Sequence, residues 1–431
     1  MTDRAWGFRT RALHAGGAPD PTTGARAVPI YQTTSFVFES PDDAATLFAL
    51  QKYGNVYSRI ANPTVAAFEE RMASLEGGLG AVATASGQAA QFLTFAALAG
   101  AGDHVVASAS LYGGTITQLA VTLRRFGVET TFVRGGDPAD YAAALTDRTK
   151  VVFAEVVANP GSEVADLAGL AEVAHGAGVP LAVDATTATP YLCRPIEHGA
   201  DLVLHSATKF LGGHGTTLGG VVVDAGTFDW GNGNFPLMTE PTESYGGIRW
   251  WDNFGEYGFL TKLRSEQLRD IGAALAPHSA FLLLQGVETL PQRMREHVAN
   301  AKVVAEWLDA DDRVAWVRYS GLPAHPDAAR ARRYLPEGPG AVFSFGVAGG
   351  REAGRRFVES VELCSHLANI GDARTLVIHP GSTTHQQLSD SQLRAAGVPP
   401  DMIRISVGLE DPEDIIWDLD QALAAATKAV P

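Results

Sequence analysis

Short apolar runs recur through the middle of the chain, each bounded by glycine, proline or small polar residues. Runs of about four to eight such residues read as strands buried on both faces. They predict strands at Gly80–Ala85, His104–Ser108, Glu129–Val133, Val151–Val156, Leu181–Asp184, Asp201–His205 and Gly220–Val223. Between them lie stretches with apolar residues at helical spacing, Leu167–His175 among them. Strand–helix alternation over residues 63–265 predicts a large α/β domain with a mostly parallel sheet. Residues 1–62 are rich in Pro, Gly, Thr and aromatics and show little periodicity. Such a segment rarely folds alone and is expected to be an arm contacting a neighbouring subunit. In residues 266–431, a long helical pattern at Ser279–Leu308 precedes short strands at Ala341–Gly346 and Ile403–Val407. A closing helix follows at Asp414–Ala425, so this part reads as a smaller α+β domain.

Composition narrows the class. Of 431 residues, 46% are hydrophobic, enough for large buried cores, and 46 glycines suit a fold with many tight turns. The formal net charge of −15 argues against nucleic acid and anionic membranes as partners. Cys193 and Cys364 have neither metal-ligand nor disulfide spacing, so no metal is expected. The opening MTDRAWGFRT lacks an apolar signal core and no run of about 18 apolar residues occurs, which reads as a soluble cytoplasmic protein.

Candidate chemistry concentrates at strand ends. Residues 201–224 read DLVLHSATKFLGGHGTTLGGVVVD. An apolar strand is followed by Ser206, Thr208 and Lys209, and then by a glycine-rich turn. That context suits a lysine that condenses with an aldehyde cofactor whose phosphate the hydroxyls hold. Read alone, it also suits a surface lysine at a strand–loop junction. Residues 179–190, VPLAVDATTATP, end another strand in Asp184, 25 positions earlier. Pyridoxal phosphate needs a carboxylate beside its ring nitrogen. A parallel sheet brings both strand ends to the edge where such sheets bind ligands. Ser86-Gly87-Gln88 follows a strand and opens an apolar helix, a turn that offers free amides to an anion or serves as a plain helix cap. Bare of context, Arg404 between Ile403 and Ile405 is the polar face of an edge strand.

Longer motifs then carry a resemblance: YSRIANPT (57–64), SGQAA (86–90), SLYGGT (110–115), SATKFLGGHGT (206–216) and IHPGSTTH (378–385). With them the chain resembles, nearly end to end, the Cys/Met-metabolism family of fold-type I pyridoxal phosphate (PLP) enzymes, and within it the O-acetylhomoserine sulfhydrylase branch. The resemblance implies that Gly87, Gln88, Ser206 and Thr208 hold the phosphate. Tyr57 and Arg59 of a neighbouring subunit join them, in a tetramer built of two dimers with shared sites. It also implies that Tyr112 stacks on the ring and handles leaving-group protons. Asn159 contacts the ring hydroxyl, Arg404 binds the substrate carboxylate, and Tyr57 and Asn369 border the substrate.

The implied reaction is γ-replacement on O-acetyl-L-homoserine. Lys209, displaced by the substrate amine, moves protons; acetate leaves, and sulfide or a thiol adds at Cγ, giving homocysteine or methionine. Methionine γ-lyases carry Cys where this chain has Gly114, and lyases and cystathionine-forming members tend to have Ser in the segment holding Asn369; both features favour the sulfhydrylase branch. Departures from the family pattern at Ala158, Ala185, Thr187, Gly246 and Gln386 are expected near the pocket. They keep open a carbon or nitrogen nucleophile in a specialised pathway. Lyase-type elimination and a non-catalytic binding paralogue are the remaining alternatives, the latter opposed by intact Lys209 and Asp184.

Overall fold

Between residues 80 and 224, seven segments become one sheet in the computed structural model, which describes residues 5–427 apart from His385, Leu388 and Ala396. His385, the last residue of the 378–385 motif, thus lies outside the described residues. The strands are β1 (Gly80–Thr84), β2 (His104–Ser108), β3 (Glu129–Val133), β4 (Thr149–Glu155), β5 (Leu181–Asp184), β6 (Leu202–Ser206) and β7 (Gly220–Asp224). Their order is β1-β7-β6-β5-β4-β2-β3. Strands β2 to β6 are mutually parallel, and only β7 runs against its neighbours β1 and β6. Helices cover both faces, which is why β4, β5 and β6 are almost wholly buried. β3 lies at the edge and alternates exposed and half-buried positions, as its Glu129-Thr130-Thr131 start requires.

This topology brings chemistry to one place. β4 ends at Glu155, β5 at Asp184 and β6 at Ser206, all on the carboxyl edge of the sheet. The helix Gly87–Leu98, which follows β1, starts at that same edge, capped by the Ser86 hydroxyl on the Ala89 amide at 3.1 Å.

A second sheet holds β8 (Val314–Arg318), β9 (Val342–Val347), β10 (Ser365–His366), β11 (Leu376–Ile378) and β12 (Met402–Ser406), in the order β10-β11-β12-β9-β8. Arg404 therefore sits on an inner strand, paired on both sides, and the bare reading of it as the face of an edge strand is corrected. The helical pattern at 279–308 resolves into two helices, Pro277–Glu288 and Leu290–Asp309. The break falls at Thr289 because Pro291 has no amide hydrogen to continue a helix and is accommodated in a first turn.

The N-terminal stretch divides in behaviour. Helix Phe8–His14 packs on the chain's own helix Pro63–Glu76, with Ala12 fully buried. Farther on, Val37, Phe48 and Tyr53 are exposed apolar side chains. Among the described residues, no helix is long and apolar enough to cross a membrane.

Candidate active site

Ten of the twelve residues singled out in the sequence, all but Tyr57 and Arg59, line one cavity of about 210 Å³ at the carboxyl edge of the first sheet. Lys209 sits in the turn after β6. Its amide donates to the Ser206 carbonyl at 3.2 Å, and its carbonyl accepts from the Gly213 amide at 2.7 Å. Arg293 braces this turn from behind, donating to the carbonyls of Phe210 at 2.8 Å and Leu211 at 3.2 Å. The Lys209 Nζ donates to Oδ1 of Asn369, and the Asn369 carbonyl accepts from Nη2 of Arg404 at 3.0 Å. One asparagine thus spaces the amine from the guanidinium. Burial, followed by the Arg404 charge, lowers the Lys209 ammonium to about 8.

Gly371 sets how closely the second sheet approaches the lysine. Its φ of +73° suits glycine, and an added Cβ would lie 2.6 Å from the Phe210 amide nitrogen and 3.0 Å from the Lys209 carbonyl carbon.

Asp184 ends β5 with both oxygens engaged. Oδ1 accepts from the Thr186 amide and Oδ2 from Nε2 of Gln91, each at 2.8 Å. Across the ladder stands Glu155, whose Oε1 accepts from the Tyr112 amide at 2.6 Å. Burial first, and then the charge of Asp184, push the Glu155 carboxyl well above the usual carboxylate range. Tyr112, half exposed at the mouth, opens the short helix Gly113–Thr117.

The anion-binding features also meet. Gly87 starts its helix against the end of β6, where an added Cβ would lie 2.6 Å from the Ser206 Cβ. Only glycine lets the free amides of that first turn come so close to the serine hydroxyl. The Thr208 hydroxyl donates to the Gly219 carbonyl at 3.2 Å and accepts from the Gly219 amide at 3.1 Å. Two buried acceptors, Asn159 Oδ1 and Gln88 Oε1, have no protein partner. Buried polar atoms rarely stay unpaired, so these point to a polar ligand. An amine for an aldehyde, a carboxylate for a ring nitrogen, an aromatic face and helix-start amides with hydroxyls together fit pyridoxal phosphate.

Tyr57 and Arg59 do not join this cavity within one chain. They lie together in the N-terminal stretch, the Arg59 guanidinium 5.2 Å from the Tyr57 ring centroid. A larger opening of about 1120 Å³ separates residues 47–56 from residues 244–269. It holds no comparable set of groups, and its Arg264 is already paired with Glu69 at 2.7 Å. Chemistry therefore identifies the smaller cavity as the candidate site.

Of the five departures, only Thr187 lines the Lys209 cavity, its hydroxyl donating to the Val157 carbonyl at 3.0 Å. Ala185 and Ala158 are buried in the apolar core, Gly246 borders the larger opening, and Gln386 is exposed. Ala158 and Ala185 do not line the cavity themselves, but they adjoin Asn159, Asp184 and Thr186, which do. At Gly114, an added Cβ would run into the Gln88 amide and the Tyr112 ring, so those side chains fill the space a larger residue would need.

Sequence reasoning did not single out Gln91, Glu155 or Thr186. Glu155 carried the same signal as Asp184, an acid closing an apolar strand. Gln91 follows Gln88 by three residues, on the same helix face.

Comparisons with known proteins agree with this chemistry. Residues 9–424 match the family described as Cys/Met metabolism PLP-dependent enzyme. "Sulfhydrylase FUB7" of Fusarium oxysporum f. sp. lycopersici is 52% identical over 97% of this chain and 98% of its own length. "O-acetyl-L-homoserine sulfhydrylase 1" of Thermus thermophilus is 51% identical over 97% of this chain and 100% of its own. The crystal structure of a putative O-acetylhomoserine (thiol)-lyase from Campylobacter jejuni superimposes with a TM-score of 0.94 at 36% identity, covering 97% of this chain and 100% of that one. That protein carries a pyridoxyl-lysine phosphate. A match of such length, on a cavity built for an aldehyde, a ring nitrogen and a phosphate, places the chain in the Cys/Met metabolism family of PLP-dependent enzymes.

Proposed function

We propose that the protein catalyses γ-replacement on O-acetyl-L-homoserine with sulfide or a thiol, giving L-homocysteine or methionine and acetate. The observation that carries this reading is the Lys209–Asn369–Arg404 link, which sets a proton-transferring amine at a fixed spacing from a carboxylate-binding guanidinium. The names of relatives about half identical over nearly their whole lengths support it.

In this reading Lys209 would hold the cofactor, with Asp184 for its ring nitrogen, Tyr112 for the ring face and Asn159 for the ring hydroxyl. Gly87, Gln88, Ser206 and Thr208 hold the phosphate. Bound PLP supplies an electron sink that eases loss of protons from Cα and Cβ of an amino acid. Arg404 takes the substrate carboxylate in a bidentate grip. Lys209 is placed to move protons on the substrate carbons. Its lowered affinity for a proton keeps much of it neutral near pH 8, where a base is useful. Tyr112, half exposed at the cavity mouth, is placed to manage leaving-group protons. Acetate is a far better leaving group than hydroxide, which favours the esterified donor.

The holoenzyme tests this directly. With sulfide present, O-acetylhomoserine should be converted to homocysteine, with little 2-oxobutyrate or ammonia. Faster cleavage of methionine alone to 2-oxobutyrate would make the protein a lyase. Consumption of the ester only with an amine or aldehyde would replace sulfide by another nucleophile.

The reading includes a division of the chain into an arm at residues 1–62, a PLP-binding α/β domain at 63–265 and a C-terminal α+β domain at 266–431. It also includes a cytoplasmic homotetramer with shared sites. Exposed Val37, Phe48 and Tyr53, the absence of Tyr57 and Arg59 from their own chain's cavity and the wide opening beside the arm all support a partner there. Arg59→Ala and Lys209→Ala forms should each be inactive, yet mixing them under subunit exchange should restore activity. Each hybrid dimer builds one intact site, so equal mixing should recover about a quarter of parental activity. Demonstrated exchange without recovery would remove the shared site.

A further inference from the structure

The proton affinity of a carboxylate depends on what else donates to it. Both oxygens of Asp184 already accept a hydrogen bond. The Thr186 donor is backbone and belongs to the local turn. Gln91 is different, a side chain that reaches over from the helix Gly87–Leu98 and is 3% exposed. The far end of its amide is fixed as well, because Oε1 accepts from the hydroxyl of fully buried Thr115 at 3.0 Å. An amide has one donating and one accepting end. The reverse orientation would set two acceptors, Gln91 Oε1 and Asp184 Oδ2, against each other. Asp184, which only accepts, therefore takes the donating end, and the Thr115 hydroxyl donates to the other.

The chain of contacts closes on itself. The Thr115 amide donates to the Tyr112 carbonyl at 2.9 Å, the Tyr112 amide donates to Glu155, and Glu155 pairs with Asp184 in the β4–β5 ladder. Glu155 on β4 is the titratable neighbour of Asp184 in that ladder, and Leu204 on β6 lies on its other side.

We infer that Gln91 is a positioning residue that orients Asp184 and, with Thr115 holding its amide, keeps the proton on the cofactor's ring nitrogen. This rests on the proposed placement of Asp184 against that nitrogen. A carboxylate stripped of a donor holds a proton more tightly, so losing Gln91 moves the shared proton from nitrogen toward Asp184 and weakens the electron sink.

The experiment uses holoenzyme reconstituted with PLP labelled with ¹⁵N in the ring, read by NMR. Gln91→Met keeps length and removes both bonds. Thr115→Val keeps shape and removes only the hydroxyl, so it remains informative should Gln91→Met fail to fold. Both should move the nitrogen signal toward the neutral-pyridine position, Thr115→Val less far, and Thr115→Ser should restore the parental signal. In Gln91→Met, kcat should fall roughly tenfold with KM little changed, on the scale of losing the partner behind a ligand at a metal site. Parental nitrogen signals in Gln91→Met and Thr115→Val, with a shifted one in Asp184→Asn, would overturn the inference. A parental signal in Asp184→Asn itself would overturn the placement of Asp184 instead.

Discussion

Lys209→Ala should abolish the borohydride-reducible adduct with the cofactor and nearly all turnover. Two losses combine. The cofactor loses its covalent tether, and the reaction loses the amine that moves protons on the substrate. Positioned acid–base groups contribute roughly 10²–10⁴-fold, so kcat should fall at least about 10³-fold. Asn369 would keep its link to Arg404, because that bond uses the asparagine carbonyl, and the substrate-carboxylate site should survive. Binding of substrate to the variant, measured calorimetrically, should therefore persist while turnover is lost. Turnover equal to the parent would end the assignment of Lys209. The parent carries a related pH signature. Condensation needs the neutral amine, and the buried amine changes charge near pH 8 rather than in the ordinary lysine range. Reconstitution of apoenzyme, followed by absorbance, should therefore speed up as pH rises through about 8 and level off above it.

Asp184→Asn should keep the cofactor bound and still lose at least about a hundredfold in rate. The substitution retains the shape and the bond from the Thr186 amide but removes the charge that stabilises a protonated ring nitrogen. With a neutral ring, electrons from the substrate carbon have a poorer destination, so the rate drops while the yellow colour remains. A rate within a few-fold of the parent would show that Asp184 is not the ring's partner.

The inner strands of the first sheet were legible because burial on both faces demands continuous apolar runs, and β2 and β5 begin and end where the pattern says. β8 and β11 were not singled out. β8 is only half buried along its length and carries Trp316 and Arg318, and β11 has three residues, too few for a period to show. The 279–308 helix read as continuous because apolar spacing carries across Thr289, although Pro291 announced the break. At the site, Asp184 stood out because it closes an apolar strand and Lys209 because it follows two hydroxyl residues and precedes a glycine-rich turn, whereas Arg404 was marked only by the family resemblance. Gln91 is an unremarkable helix residue in sequence, and Thr115 ends the SLYGGT motif with no role read from it. Their role comes from contacts across 93 and 24 positions of chain, which no local pattern records.

The two walls of the cavity belong to different sheets. Asp184 and Ser206 close strands of the first and Lys209 sits in the turn that follows one of them, whereas Asn369 and Arg404 come with the second. The gap between them works as a ruler, with the amine at one mark and the carboxylate anchor at the other. Its zero is Gly371, where the second sheet touches the lysine turn with no side chain between. The length of amino acid this protein accepts is therefore set by how Asn369, Gly371 and Arg404 sit against the lysine turn, apart from the groups that hold the cofactor.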